Sequence, residues 1–475
     1  MIKIILSTLI SVFAIAATVV IFYWKDAGFE PTAHDLLMYL AVIPFAVACV
    51  LLSPYLIYKL YVHRREKQQQ RLEQAEAEKN QVPVQEEAKK EQIQLHVYSS
   101  FLKSAMGEND EILAKTIDLQ APELDSKLHN AQGNPILSYR MTDLDDDQDI
   151  KNQDVVLDVL QQRMHQLIHA QIAQNYDVLH TISHHFKRSA MFYDHKTIEK
   201  YRLHPAWLDP KHQTVDEDDD VEKIEAVPRL SQLVVYVILA EHLFRVWDTA
   251  ATTALIAAQL VEMGFLNDQV QIEYEFWSSK NGYANMLQTF RHIATATDQV
   301  YLCLGLDSEI HQGHLENQLW VSTDYVPAEF AGSFIVAPQA VEILELKPSQ
   351  TMTVAFDQPD LLALLKDKKI DELPQFKDEQ PFVLILDQID RPKVIQQLAA
   401  HFEHTPIETY HYIYSCPSLG HTQHLSKLYG LMLGLVSFHD LYGLLYSVHD
   451  PAIHILLDPN PNSELEADAN ASTPT

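Results

Sequence analysis

LVVYVILAEHLFRVWDTAATTALIAAQLVEMG, residues 233–264, decides the fold class. The run Leu233 to Ala240 is apolar throughout, far too short to cross a bilayer, and has the length and β-branched content of a strand buried on both faces. Asp248 is placed to cap a helix that runs through Met263, and Gly264 suits its end. Strand and helix in that order form one unit of an α/β protein. Working downstream, VQIEYEFW (270–277) puts Val270, Ile272, Tyr274 and Phe276 on one face, a helix follows over 283–295, and VYLCLG (300–305) is the next strand. The same reading predicts strands at 333–336, 341–346, 382–386, 411–416 and 453–457, and helices at 392–402 and 421–436. Upstream it predicts strands at 95–99 and 135–139 and one long helix over 152–185. The succession predicts an α/β fold with mostly parallel, helix-covered sheets. The region divides into an N-terminal part at 93–230 and an α/β part at 231–461, as one large unit or two smaller ones, with a disordered tail at 462–475.

Residues 1–62 read as a membrane anchor of two transmembrane helices. Between Lys3 and Lys25, and again between Asp35 and Lys59, the chain is apolar for about the 20 residues a spanning helix needs. The first run lacks the small-residue cleavage site of a signal peptide, and Pro44 and Pro54 predict a kink in the second. The connecting loop carries Asp26, Glu30 and Asp35, whereas Lys59, Arg64, Arg65, Lys67 and Arg71 follow the second run. That asymmetry places both termini and the folded region in the cytoplasm, at a bacterial inner membrane. Residues 63–92 lack apolar heptads and read as a charged spacer rather than a coiled-coil stalk.

Composition narrows the function classes. A net charge of -30 argues against nucleic acid and against lying on anionic lipid, because both want a basic surface. Proteins, including envelope or secretion machinery, are the expected partners. Glycine is scarce at 12 residues and no GxGxxG or GxxxxGK occurs, so no nucleotide cofactor is expected. Of three cysteines, Cys49 lies in a predicted span, and Cys303 and Cys416 read as small buried hydrophobes rather than a disulfide. The acidic runs at 143–149 and 216–222 lack the spacing of a calcium loop and read as solvated loops.

Over roughly 280–457 the order of elements resembles that of the thiolase-like superfamily, the fold of β-ketoacyl synthases. SCPSLGHTQHLSKLYGLMLGL (415–435) is similar to the strand, Gly-His turn and small-residue helix that present a catalytic histidine in condensing enzymes, with Gly420 and His421 as the pair. VYLCLGLDSEI (300–310) followed by YVPAEFAGSFIVAP (325–338) resembles that family's central strand and later apolar strand. The resemblance implies a thiolate at a helix N-terminus, where the dipole would lower its pKa. No cysteine stands around Asn281 to Ala284. The segment DTAATTAL (248–255) has alanine or threonine where that nucleophile would stand. The second histidine implied after FVLILDQID (382–390) is replaced by Asp387 and Gln388.

Histidine is abundant, at 24 residues, and His165 with His169, and His180 with His184, stand at i,i+4 spacing on the predicted long helix. Neither pair carries the Glu of a HExxH protease, and no GxSxG occurs. No metal site is assigned from the sequence. Three functions follow: a non-catalytic interaction protein, an acyl-binding or acyl-transferring enzyme in which His421 polarises a carbonyl, or a metal or pH sensor built on the histidine-rich helix.

Overall fold

The computed structural model describes Thr18, Phe22, Lys25 and Asp26, and residues 91–149, 159–207, 227–319, 322, 324–377, 383–437 and 441–459. The chain divides into two compact units, Met1–Lys89 and Lys90–Thr475. In the first, the four described residues are helical. The predicted spans as wholes, the spacer up to residue 90, the acidic run at 216–222 and the tail lie outside the described residues, and the spacer's last residue, Gln92, opens the first strand. None of the described helices is long and apolar enough to cross a membrane.

The second unit opens with β1 (Gln92–Ser104) and β2 (Gly107–Glu108), then α1 (Asp110–Ile117) and a two-stranded ribbon of β3 (Glu123–His129) and β4 (Pro135–Ser138). Helices α2 (Val159–Gln174), α3 (Tyr176–Tyr193) and α4 (His195–Leu203) lead into β5 (Gln232–Ala240), α5 (Thr249–Glu262) and β6 (Val270–Trp277). After α6 (Gly282–Thr295) come β7 (Gln299–Ser308), α7 (Gln312–Leu319), β8 (Glu329–Pro338) and β9 (Gln350–Ala355). The chain finishes with α8 (Leu361–Asp367), α9 (Pro374–Lys377), β10 (Val383–Leu386), α10 (Pro392–His401), β11 (Tyr412–Tyr414), α11 (Ser426–Val436), β12 (Gly443–Tyr446) and β13 (His454–Pro459).

All strands except β3 and β4 join one 11-stranded sheet, whose order is β11-β10-β12-β13-β9-β1-β8-β7-β5-β6, with β2 paired to β1. The sheet is a duplication. Counting strands within each half as first to fifth, β6-β5-β7-β8-β1 and β11-β10-β12-β13-β9 both read third, second, fourth, fifth, first. In both, the fifth strand, β8 or β13, is antiparallel to its two neighbours. The halves meet where β1 pairs antiparallel with β9.

The expectation of mostly parallel sheets is therefore corrected. Only β5 with β6 and β7, and β10 with β11 and β12, pair in parallel, and the middle of the sheet is antiparallel. The reason is visible at β12 and β13, where Tyr446 pairs with His454 across a connection too short for a parallel crossover, which needs a dozen or more residues.

Strand β5 shows how the layers form. Val234, Tyr236 and Ile238 enter a core shared with Met286 and Phe290 of α6 and with Leu428 and Met432 of α11. Leu233, Val235, Val237 and Leu239 face α2, α3 and α5. A third core covers the second half, where Leu384, Leu444 and Leu456 pack on Leu364 and Leu398. Helix α11 is buried on every side, which explains its uniformly apolar sequence after Lys427. It lies directly on β7 because Gly305 has no side chain: a Cβ there would stand 2.6 Å from Leu428 Cδ2.

Four further expectations change. The helix foreseen over 152–185 is two, α2 and α3, broken at Asn175. That side chain donates to Gln171 O (2.7 Å) and Ser333 Oγ (2.8 Å) and accepts from Ser99 Oγ (2.6 Å), tying the break to the sheet. Residues 341–346 form turns rather than a strand, with Glu345 at φ 65, and β9 takes the sheet position instead. The helix foreseen from 421 begins at Ser426, because Gly420 at φ 52 turns the chain first. The run at 143–149 is not simply a solvated loop: Asp145 accepts from Arg163 Nη1 (2.6 Å) and Arg140 Nη1 (3.3 Å), and Arg163 also holds Glu329.

Candidate functional site

The N-termini of α6 and α11 lie where the sequence resemblance would place catalytic groups. Helix α6 begins after Asn281, whose side chain contacts the Ser278 hydroxyl and makes no cap bond. Its first turn offers no thiol. Gly282 lies against the strand of chain before α11, where an added Cβ would stand 3.3 Å from His424 O. The segment 248–255 falls at the start of α5, with Asp248 accepting from the Ala250 and Ala251 amides at 3.0 Å, as its capping role predicts.

His421 follows the Gly420 turn and is exposed. Its Nδ1 accepts from the Val326 amide (2.9 Å), its own amide donates to Val326 O (2.9 Å), and its ring stacks on Tyr325 at 5.1 Å. These bonds fasten the turn to the segment before β8. An added Cβ at Gly420 would collide with Val326 O, so this position requires glycine for its close approach as well as its positive φ. Cys303 is buried mid-strand and Cys416 is buried with its S–H donating to Asp387 O (2.6 Å). Burial raises both thiols well above their ordinary value, Cys416 to about 12, the reverse of what a nucleophile needs.

Asp387, at the end of β10, is buried and fully engaged. It accepts from Ser447 Oγ (2.8 Å) and the Val448 amide (3.0 Å), and it forms an ion pair with Lys427 in the first turn of α11. Lys427 Nζ also reaches Ser447 Oγ (3.3 Å) and sits 5.6 Å over the Tyr283 ring. Burial lowers the Lys427 ammonium to about 8, and Asp450 opposes that shift. The touching Asp387 carboxylate acts in the same sense as Asp450. The cavity beside it, bounded by Tyr283, Met286, Ile385 and Tyr446, holds about 20 Å³, room for roughly one water.

A second polar cluster lies at the C-terminal ends of β5 and β7, and no local spacing announces it. His242 follows β5 in a short 3-10 turn (Glu241–Leu243), Asp307 lies in the last two residues of β7 with Glu309 just beyond it, His314 lies on α7, and His424 precedes α11. A ring nitrogen of His242, a ring nitrogen of His424 and a Glu309 oxygen all lie within 4.8 Å of one another. The His242 ring is 4.6 Å from that of His314 and 5.6 Å from that of His424. His314 Nε2 is 3.7 Å from Glu309 Oε1, and His242 Nε2 is 3.9 Å from Asp307 Oδ1. Glu309 Oε2 accepts from Thr422 Oγ1 (2.9 Å) and from the Tyr325 hydroxyl.

The electrostatics of this cluster are unusual. Asp307 is fully buried and both its oxygens lack a well-formed hydrogen bond among the described residues. Both His242 nitrogens and His424 Nδ1 are likewise buried without a well-formed hydrogen bond there, the Ser308 backbone giving His242 and Asp307 only a weak contact. Burial, then the Glu309 charge, pushes Asp307 far above the usual carboxylate range. Burial would raise Glu309 too, but bonds from His314 and Tyr325 outweigh it and hold that carboxyl low. Burial and the neighbouring His314 bring His242 down to about 4, so its imidazole is neutral.

The histidine pairs read from the sequence fall elsewhere. His165 is buried, 2.9 Å from Thr252 Oγ1 and edge-on to Trp247, while His169 is exposed. His180 and His184 stack edge to face at 4.7 Å beside Trp207. The signal that marks the second cluster in the sequence is the acidic ending LDSEI on a wholly apolar strand, since such a strand rarely buries carboxylates without use for them.

No family model and no curated protein matches the chain. Among the solved structures similar to it are condensing enzymes and a thiolase. The ketosynthase of module 6 of the bacillaene synthase from Bacillus subtilis 168 is 9% identical over 77% of this chain and 72% of its own, with a TM-score of 0.41. The module 1 ketosynthase of the bacillaene synthase from Bacillus amyloliquefaciens FZB42 is 10% identical over 78% and 76%, at 0.39. Human mitochondrial 3-ketoacyl-CoA thiolase is 8% identical over 49% and 88%, at 0.27. At these values the likeness is one of general architecture.

Proposed function

We propose that this chain is a non-catalytic interaction protein of thiolase-like architecture, anchored at the bacterial inner membrane with its folded region in the cytoplasm, where it serves an envelope or secretion complex. The observation that carries the reading is the Asp387 and Lys427 pair. Where a condensing enzyme would hold an open, reactive pole, this chain has an ion pair bonded to Ser447 and Val448 and a cavity of about 20 Å³, too small for an acyl chain. The absence of a thiol at the start of α6 and the raised thiols of Cys303 and Cys416 support the same conclusion. The anchor rests on the two apolar runs and their flanking charges.

An acyl-transferring enzyme built on His421 is the second reading, and the sequence order around Gly420 is what favours it. Against it, His421 is exposed and its Nδ1 is occupied by the Val326 amide. Both readings meet one experiment: the full-length protein is crosslinked in its own cells, solubilised in mild detergent, and its companions identified by mass spectrometry. Recovery of the same envelope proteins with wild type and His421→Ala supports the interaction protein. Recovery of the protein alone, carrying a covalent acyl group that His421→Ala abolishes, overturns it.

A further inference from the structure

We infer that His242, Glu309 and His424 form a binding site for a single divalent transition-metal ion of the zinc class, with His314 as fourth ligand and the ion joining the two halves of the duplicated fold. The inference does not depend on the proposed function. Three observations carry it.

The first is the donor set. Imidazole and carboxylate are the usual zinc ligands outside cysteine sites, and tetrahedral coordination requires four donors a few ångströms apart. A nitrogen from His242, a nitrogen from His424 and an oxygen from Glu309 are within 4.8 Å of each other, and the His314 ring is 4.6 Å from that of His242. His314 Nε2, 3.7 Å from Glu309 Oε1, lies 3.3 Å from Gln318 Nε2 and would exchange that contact for the ion.

The second is the lack of any other satisfaction. Leaving a buried polar group without a partner costs about 1–3 kcal/mol, and more for a charge. Here both nitrogens of His242, both oxygens of Asp307 and Nδ1 of His424 are buried without a well-formed hydrogen bond among the described residues. A dication meets one lone pair on each imidazole, and Asp307, 3.9 Å from His242 Nε2, stands where a carboxylate orients a ligating histidine.

The third is the support behind Glu309. Tyr325 and Thr422 both donate to Oε2, leaving Oε1 turned toward His314. Thr422 is itself fixed by the Ala328 amide at 3.0 Å. Asp307, Glu309 and His242 belong to the first half, His424 and Thr422 to the segment entering α11 of the second, so the ion would bridge them.

The test uses the full-length chain in detergent, purified without chelator, and zinc alone as the probe. About one zinc per chain is expected by elemental analysis. After chelation, cobalt(II) should restore an intense visible d–d absorption of tetrahedral type. His242→Ala and His424→Ala should each abolish stoichiometric zinc, whereas His180→Ala should keep it. Tyr325→Phe should weaken zinc affinity roughly 10- to 100-fold while the protein stays folded, which a merely structural tyrosine would not do. Should either alanine variant fail to fold, Glu309→Gln, which keeps the side-chain shape, must lose the ion. A folded wild-type chain that takes up no stoichiometric zinc from an excess overturns the inference, and so does zinc that persists in Glu309→Gln or depends on His180.

Discussion

Two buried polar clusters flank the start of α6, and they are built on opposite principles. Around Asp387 every strong group is met within the protein: a carboxylate, an ammonium, a hydroxyl and a backbone amide saturate one another. Around His242 and Asp307 the groups converge and are left unmet by the described residues. The first arrangement closes a site, and the second keeps one open toward a cation. One fold thus carries at neighbouring positions a site sealed by its own side chains and a site whose side chains await a partner.

The largest effect should come from breaking the sealed cluster. Lys427→Met leaves Asp387 as a buried, uncompensated carboxylate, and loss of one partner of such a pair costs about 3–5 kcal/mol. The double variant Lys427→Met with Asp387→Asn should recover most of that loss, since the amide oxygen can still accept from the Val448 amide while the amide NH2 donates to the Ser447 hydroxyl. Denaturant unfolding of the three proteins measures both terms. A single variant as stable as wild type would mean that the pair is solvated and seals nothing.

The open cluster should respond with the opposite sign. In chelator-treated protein, Asp307→Leu removes two buried oxygens that lack a well-formed hydrogen bond and should stabilise the chain by about 1–3 kcal/mol. In zinc-loaded protein the same change should lower metal affinity, because His242 loses the carboxylate 3.9 Å from its Nε2. Destabilisation of the metal-free chain would show that Asp307 is satisfied after all and would erase the contrast between the clusters.

The pH dependence separates satisfied from unsatisfied carboxylates further. Burial would raise Asp125 and Asp145, but the bonds from Arg140, the Lys127 amide and Ser138 to Asp125, and from Lys127, Arg163 and Arg140 to Asp145, hold both below the ordinary value. Their stabilisation is present above the unfolded carboxyl pKa of about 4 and is lost as pH falls through the lower folded values. Asp307 behaves in reverse. With its folded pKa raised, its contribution is full below about pH 4 and is lost as pH rises through the folded value. Unfolding midpoints followed from acid to neutral pH should therefore rise more steeply in Asp307→Leu than in wild type. Superimposable profiles would mean that Asp307 does not titrate within that range.

How far the sequence reveals this follows from what apolar pattern encodes. LVVYVILA is legible as a strand, and Asp248 with Gly264 as the ends of α5, because burial and capping are local requirements. Strand direction is not local. β8 is buried at every position, so its side chains carry no trace of running antiparallel to β7, and a succession of strands and helices suggests parallel pairing by default. The polar Gln350, Thr351 and Thr353 hid β9, although it joins the two halves. The Gly-His turn was legible as a turn, but its exposure depends on Val326 and Tyr325, far away in the chain. His242, Glu309, His314 and His424 come from four separate segments, and only the folded sheet brings them together.

The smallest effect discriminates most sharply between spacing and surroundings. His180 and His184 have the i,i+4 spacing that can hold a metal on a helix face, and their rings lie 4.7 Å apart. Their neighbours, however, are Tyr176 and Trp207, which stack on the rings, and the Lys187 ammonium, 4.3 Å over Trp207, which repels a cation. His184 is exposed, so His184→Ala should change stability by no more than about 0.5 kcal/mol. It should also leave the zinc content of the full-length chain unchanged. The same substitution at His242, which has no helical partner at that spacing, should remove the ion. If instead His184→Ala removed zinc and His242→Ala did not, spacing along one helix would outweigh convergence in space, and the open cluster would be a set of buried groups satisfied by water.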